Sequence, residues 1–160
     1  MSKIFTEDEN KAWQRTLPSK LSSACIAFRC NDKVLMVKAC YKNYWTFSGG
    51  IVDENESPKE AAVREVYEEV GIKLDKNKVQ FLTTIYTKGR DGYLDRFNFV
   101  FIVDCINEET KYILQKEEIE KFEWVDICKI AEYSKQKGSY QNIQRILQNK
   151  IQNEAYIEVL

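Results

Sequence analysis

The segment SPKEAAVREVYEEVG, residues 57–71, specifies a helix at both of its ends. Ser57 is a good N-cap, Pro58 suits the first helical position, and Glu60 completes a Ser-x-x-Glu capping box. Gly71 supplies the left-handed stop. At about 100° per residue, Val63, Val66, Tyr67 and Val70 fall on one stripe, which is expected to bury against a sheet. Glu65, Glu68 and Glu69 converge on another face, beside the small residues Ala61 and Ala62.

The stretches around this helix read as strands. LSSACIAFRC (21–30) and NDKVLMVKAC (31–40) are two apolar runs separated by an Asn-Asp turn, which suits a hairpin, and YWTFSGGIVD (44–53) is a third extended piece broken by a glycine pair. VQFLTTIYTK, DRFNFVFIVDCI and IEKFEWVDI follow the helix, each rich in β-branched and aromatic residues. DICKIAEYSKQ and SYQNIQRILQNKI read as helical, the latter with Ile143, Ile146, Leu147 and Ile151 on one stripe. The order predicts a mixed α/β domain with its sheet covered on both faces. Residues 1–20 are expected to form a polar, irregular N-terminal arm, 21–150 the domain and 151–160 a C-terminal tail; the sequence gives no account of the final NEAYIEVL.

Composition removes several kinds of chemistry. The 160 residues carry 24 Lys and Arg against 25 Asp and Glu, and a net charge of −1 lacks the footprint of a nucleic-acid binder, so no nucleic-acid partner is expected. There is no histidine, which excludes His-based triads, H-E-x-x-H zinc sites and phosphohistidine chemistry. Cys25, Cys30, Cys40, Cys105 and Cys128 contain no C-x-x-C pair and are read mostly as small buried hydrophobes. No apolar run approaches the ~20 residues of a membrane span and the N-terminus has no apolar h-region, so the chain reads as soluble and cytoplasmic, without a membrane partner.

Two readings of the acidic trio stand side by side: a solvated face beside Lys59 and Arg64, or a site for a divalent cation. Like charges at helical spacing repel, and a cation would offset that repulsion. With hard oxygen ligands and no His available, such a site suits Mg²⁺ or Mn²⁺. Gly49 and Gly50, where a strand is expected to give way to the loop feeding the helix, would let a backbone carbonyl approach the acidic face as one more ligand. Glu56 and Arg64 bracket the first turns, placed for a bracing salt bridge.

From Gly50 the chain reads glycine, five residues, Glu56, seven residues, then Arg64-Glu65-Val66-x-Glu68-Glu69-x-Gly71-Ile72. That segment resembles the Nudix signature at every defined position over residues 50–72. The resemblance implies an α/β/α sandwich over roughly residues 20–150. It also implies a hydrolase acting on a nucleoside diphosphate linked to another moiety, or on a nucleoside triphosphate, by water attack at phosphorus with Mg²⁺. On that basis Glu65, Glu68, Glu69 and the Gly49 carbonyl would hold the metal, with Gly50, Glu56 and Arg64 in support. The substrate would be a small-molecule nucleotide, and homodimers recur among members.

For the general base, the candidates in order are Glu118, which resembles a loop glutamate used by some members, then Glu65, then Glu117. Arg29, Lys38, Tyr41 and Arg96 are the candidate substrate contacts, with Tyr44 and Trp45 as further stacking surfaces. Ser48 replaces the proline that often precedes the glycines, and the absence of a downstream proline weakens an ADP-ribose specificity. The alternative is a Nudix-fold module that senses a nucleotide without cleaving it. The isoprenoid-diphosphate isomerase branch, which uses histidine, is disfavoured.

Overall fold

A computed structural model describes residues 5–104, 113–134, 137–149 and 155–159. The elements run α1 (Glu7–Gln14), β1 (Leu21–Cys30), β2 (Lys33–Ala39), β3 (Ser48–Ile51), α2 (Pro58–Val70), β4 (Gln80–Thr87), β5 (Arg96–Asp104), β6 (Ile119–Asp126), α3 (Ile130–Tyr133), α4 (Lys137–Leu147) and β7 (Tyr156–Val159). The sheet is mixed, in the order β6-β2-β1-β5-β4-β7, with β3 paired to β1 off this path. The β1–β5 and β4–β7 pairs are parallel and the others antiparallel.

Alternate residues of the central strands feed two separate cores, as a period of two requires of a sheet covered on both faces. Ala24, Ile26, Phe28, Leu35, Val37, Phe101 and Val103 pack with Ala61, Ala62, Val66 and Val70 of α2. On the other face Cys25, Ala27, Val34, Met36, Val100 and Ile102 pack with Ile130 of α3 and Ile143 and Leu147 of α4. Val66 and Val70 have no exposed surface; burial of each contributes about 1.5–3 kcal/mol. The expected sandwich is therefore present.

Several local expectations change. The N-terminal arm is not irregular, because Thr6 and Glu9 form a reciprocal capping box that starts α1, although none of that helix is buried. The segment left without an account supplies β7, which lies beside β4 and buries Ile157. Of the four described cysteines only Cys25 is buried, and Cys105 and Ile151 lie outside the described residues.

The buried face of α2 is also rotated from the expected stripe. Tyr67 is 52% exposed, while Ala61, Ala62 and Glu69 are buried. Weighting by bulk favours Tyr67, but the two alanines let the helix approach the sheet closely on their own side. The buried arc is therefore centred roughly 50° from Glu65, with Glu69 in its middle.

The glycine pair does not follow a strand; it lies within one. The edge of β1 is shared, with β2 pairing only at Arg29↔Val34 and Cys30↔Lys33 and β3 taking Ser23 to Ile26. Gly49 pairs with Cys25, so closely that a Cβ there would stand 2.2 Å from the Ala24 carbonyl oxygen and 2.5 Å from the Cys25 Cα. A Cβ on Gly50 would instead meet the Glu65 carboxylate, 2.3 Å from Oε1. The first obstacle is backbone and the second the end of a side chain. Gly49→Ala should therefore lower stability by about 3 kcal/mol or more and Gly50→Ala by about 1 kcal/mol, measured by urea unfolding; equal losses would contradict this packing.

The capping box of α2 is complete, with Ser57 and Glu60 bonded reciprocally. Hydrogen bonds from the Ser57 hydroxyl and backbone, then from Lys76, hold the Glu60 carboxyl at about 2, below its ordinary 4.5. Because the folded value is depressed, the contribution is present above pH 4.5 and is lost as pH falls toward about 2. Glu60→Gln should be less stable than wild type near neutral pH, and the two should converge across that acid window in denaturation curves collected as a function of pH.

Candidate metal and phosphate site

Three pieces of backbone meet at the acidic helix. β3 lies under its middle, the turn after β3 supplies Asp53 and Glu56, and residues 113–118 fold back over its C-terminal end. Ile113 N–H donates to the Val70 carbonyl (3.0 Å) and Gln115 N–H to the Glu69 carbonyl (3.1 Å). These bonds satisfy carbonyls that the helix end leaves without partners. Cys40 N–H donates to the Glu118 carbonyl (2.7 Å), so Glu118 is held between the end of β2 and the end of α2.

Arg64 organises the acids that face outward. Its Nε and Nη2 donate to Glu56 Oε1 and Oε2, both at 3.0 Å, and Nη2 also reaches the Ile51 carbonyl at 3.1 Å. Its Nη1 donates to Glu65 Oε1 at 2.8 Å and to Glu68 Oε2 at 3.0 Å. The Arg64 hydrogen bond holds the Glu56 carboxyl below its ordinary range, and the same contacts raise the guanidinium further. Burial raises the Glu65 carboxyl, against the opposing pull of Arg64.

Glu69 has no arginine. It is 7% exposed and accepts, through Oε2, the Ser48 hydroxyl at 2.6 Å and the Gly49 N–H at 3.0 Å. Burial pushes its carboxyl up to about 7; the two hydrogen bonds oppose the rise and the Glu65 charge adds to it.

Two adjoining cavities result. One, of about 500 Å³, is lined by Gly49, Gly50, Asp53, Glu65, Glu68, Glu69, Gln115 and Glu118, with Tyr41 and Ile51. Among the described residues it has five carboxylates on its wall and no Lys or Arg, a donor set of hard oxygens that fits a divalent cation such as Mg²⁺. The acids are not drawn into a ready-made chelate among the described residues, because Arg64 holds oxygens of Glu65 and Glu68. The second cavity, of about 350 Å³, shares Tyr41, Gly49, Gly50 and Ile51 and continues past Lys42, Tyr44, Arg96, Asn98 and Tyr140.

The structure thus gathers Gly49, Gly50, Glu65, Glu68, Glu69 and Glu118 around one cavity, with Glu56 and Arg64 bracing it, and puts Tyr41 and Arg96 on the neighbouring one. Tyr41 is 74% exposed and borders both. Burial, then the charges of Glu69, Glu118 and Glu65, raise its phenol. Arg29 and Lys38 are elsewhere: each lies in an ion pair, with Asp104 and Glu120 respectively, and neither lines either cavity. Glu117 does not line them, and Trp45 packs edge-on against Tyr133. Asp53, Gln115 and Lys42 were not anticipated; they reach the site through turns and loops that no spacing in the chain encodes. Ser48, at the position where proline often precedes the glycines, turns its hydroxyl to Glu69.

Known proteins share sequence segments and the fold with this chain. The chain is 36% identical over 93 residues to mouse diphosphoinositol polyphosphate phosphohydrolase 3-alpha, across 56% of this chain and 55% of that protein. It is 46% identical over 57 residues to human diphosphoinositol polyphosphate phosphohydrolase 2, across 34% of this chain and 32% of that one. The matches span about half or less of these relatives. In fold it resembles the Escherichia coli dihydroneopterin triphosphate pyrophosphohydrolase, with a TM-score of 0.66 and 22% identity over 80% of this chain and 95% of that one. It also resembles the NUDIX domain of Shewanella oneidensis NrtR complexed with ADP ribose, with a TM-score of 0.70 and 15% identity over 91% and 99%. A NUDIX domain model matches residues 18–146, so with the complete signature running from β3 through α2 and the sandwich that carries it, the chain belongs to the NUDIX domain family.

Proposed function

We propose that this chain is a Mg²⁺-dependent pyrophosphohydrolase that cleaves the P–O–P linkage of a nucleoside diphosphate derivative or a nucleoside triphosphate. One observation carries the reading: a wall of five carboxylates whose lining, among the described residues, includes no Lys or Arg, open beside a second cavity lined by aromatic and polar groups. Glu65, Glu68, Glu69 and the Gly49 carbonyl would hold Mg²⁺, or Mn²⁺ in its place. When bound, the ion neutralises diphosphate oxygens and makes water more acidic.

The protein's own groups supply the rest. Glu118, fixed by the Cys40 and Gln115 bonds, takes the proton of the attacking water as its oxygen forms a bond to phosphorus and the bridging P–O bond breaks. Glu65, whose carboxyl is raised by burial, is the second candidate. Arg64 keeps Glu56 and the turn beneath it in place. Tyr41 and Tyr44 offer faces to a base, and Arg96, with no ion pair among the described residues, offers a cation to a phosphate or a π-face.

The relatives named for diphosphoinositol polyphosphates supply the competing substrate. Against it, Lys42 and Arg96 are the cationic residues lining the second cavity among the described residues, which is little charge for so anionic a ring.

The test is release of phosphate and pyrophosphate from a panel of nucleoside triphosphates, nucleotide sugars, dinucleotides and a diphosphoinositol polyphosphate, with Mg²⁺. A nucleotide should turn over fastest; preference for the inositol compound would overturn the substrate assignment, and tight nucleotide binding without cleavage would favour a sensing module. Glu68 is half exposed, so Glu68→Gln should leave stability within about 0.5 kcal/mol while lowering kcat roughly 100-fold or more. Glu118→Gln should lower kcat about 10²- to 10⁴-fold with little change in Mn²⁺ affinity. A fully active Glu118→Gln would shift the base to Glu65.

A further inference from the structure

The Ser48 hydroxyl is buried, with 1% of the residue exposed, and its partner is the carboxylate at the centre of the buried arc of α2. Both hydrogen bonds that Glu69 accepts, from the Ser48 hydroxyl and the Gly49 N–H, fall on the same oxygen, Oε2. Among the described residues no hydrogen bond engages Oε1. Glu69 also lines the acid-walled cavity. A carboxylate held by two donors on one oxygen has little freedom to rotate, so its other oxygen keeps one direction. β3 fixes the donors in turn, because Ser48 is registered opposite Ile26 and Gly49 opposite Cys25 on β1.

From this we infer that Ser48 is a positioning residue for the cation site: its hydroxyl locks Glu69 Oε2 and leaves Oε1 as the ligand oxygen. The inference rests on the metal site proposed above. Proline at this position, as often found before the glycine pair, has neither the hydroxyl nor any other donor for Glu69. The chain therefore uses the residue where it departs from the signature's usual context to fix a ligand that the signature provides. Partners that orient a ligating carboxylate typically contribute 10- to 100-fold to metal affinity.

The test compares wild type, Ser48→Ala and Ser48→Thr by Mn²⁺ titration followed by electron paramagnetic resonance, with thermal unfolding of the metal-free proteins measured in parallel. Ser48→Ala should bind Mn²⁺ about tenfold more weakly, and Ser48→Thr, which keeps the hydroxyl, should recover most of that loss. In turnover assays Ser48→Ala should need a correspondingly higher Mg²⁺ concentration for half-maximal rate, with kcat at saturating Mg²⁺ changed much less. Unchanged Mn²⁺ affinity in Ser48→Ala, whatever its melting temperature, would overturn the inference and leave the metal site intact. Wild type that binds no Mn²⁺ would instead overturn the metal site itself.

Discussion

The close passage of the Gly49–Gly50 backbone beneath α2 is the contact on which the rest of the site depends. A side chain on Gly49 would meet the backbone of β1 and one on Gly50 the Glu65 carboxylate, and the passage puts the Gly49 N–H 3.0 Å from the buried Glu69 carboxylate, which also accepts the Ser48 hydroxyl. Burying an ionised carboxylate is costly unless donors replace the water it loses. β3 supplies them, and it reaches that place because β2 releases the edge of β1 after two residue pairs. Alanines at 61 and 62 make the same approach feasible from the helix side. Sheet topology, helix composition and glycine placement thus converge on Glu69.

Electrostatics divides the acidic helix into two parts. Arg64 serves Glu56, Glu65 and Glu68 together and is the cation that makes the outer carboxylates compatible with one another. Glu69 lies beyond its reach and relies on neutral donors, which is why burial still pushes its carboxyl up to about 7. Carboxylates at such close spacing remain mutually repulsive after one guanidinium has been shared among them. A divalent ion among the lining oxygens would relieve what Arg64 leaves, and would compete with it for Glu65 and Glu68.

Much of this was legible in the chain. The capping box at Ser57 and Glu60 and the stop at Gly71 are local signals, and α2 begins and ends where they place it. β1 matches its apolar run, since a strand buried on both faces is marked by continuous hydrophobicity. The rotation of α2 was not legible, because a wheel ranks side chains by apolarity whereas packing here was decided by the smallness of Ala61 and Ala62 and by donors on a neighbouring strand. Nor could the chain show that residues 113–118 fold back onto the Glu69 and Val70 carbonyls, a long-range contact set by backbone bonds rather than by residue type. The same limit explains Arg29 and Lys38: their charges suggested substrate, while strand pairing put Asp104 opposite Arg29 and brought Glu120 within reach of Lys38.

Occupation of the carboxylate wall by a cation is what unites these features. It is tested most directly by crystals grown with Mn²⁺, using the anomalous difference density at the manganese edge. The account predicts a strong peak within bonding distance of carboxylate oxygens of Glu65, Glu68 and Glu69, with Arg64 withdrawn from at least one of its partners there. A map without a peak at that position, with Arg64 still bonded to both Glu65 and Glu68 in the presence of metal and nucleotide, would contradict it.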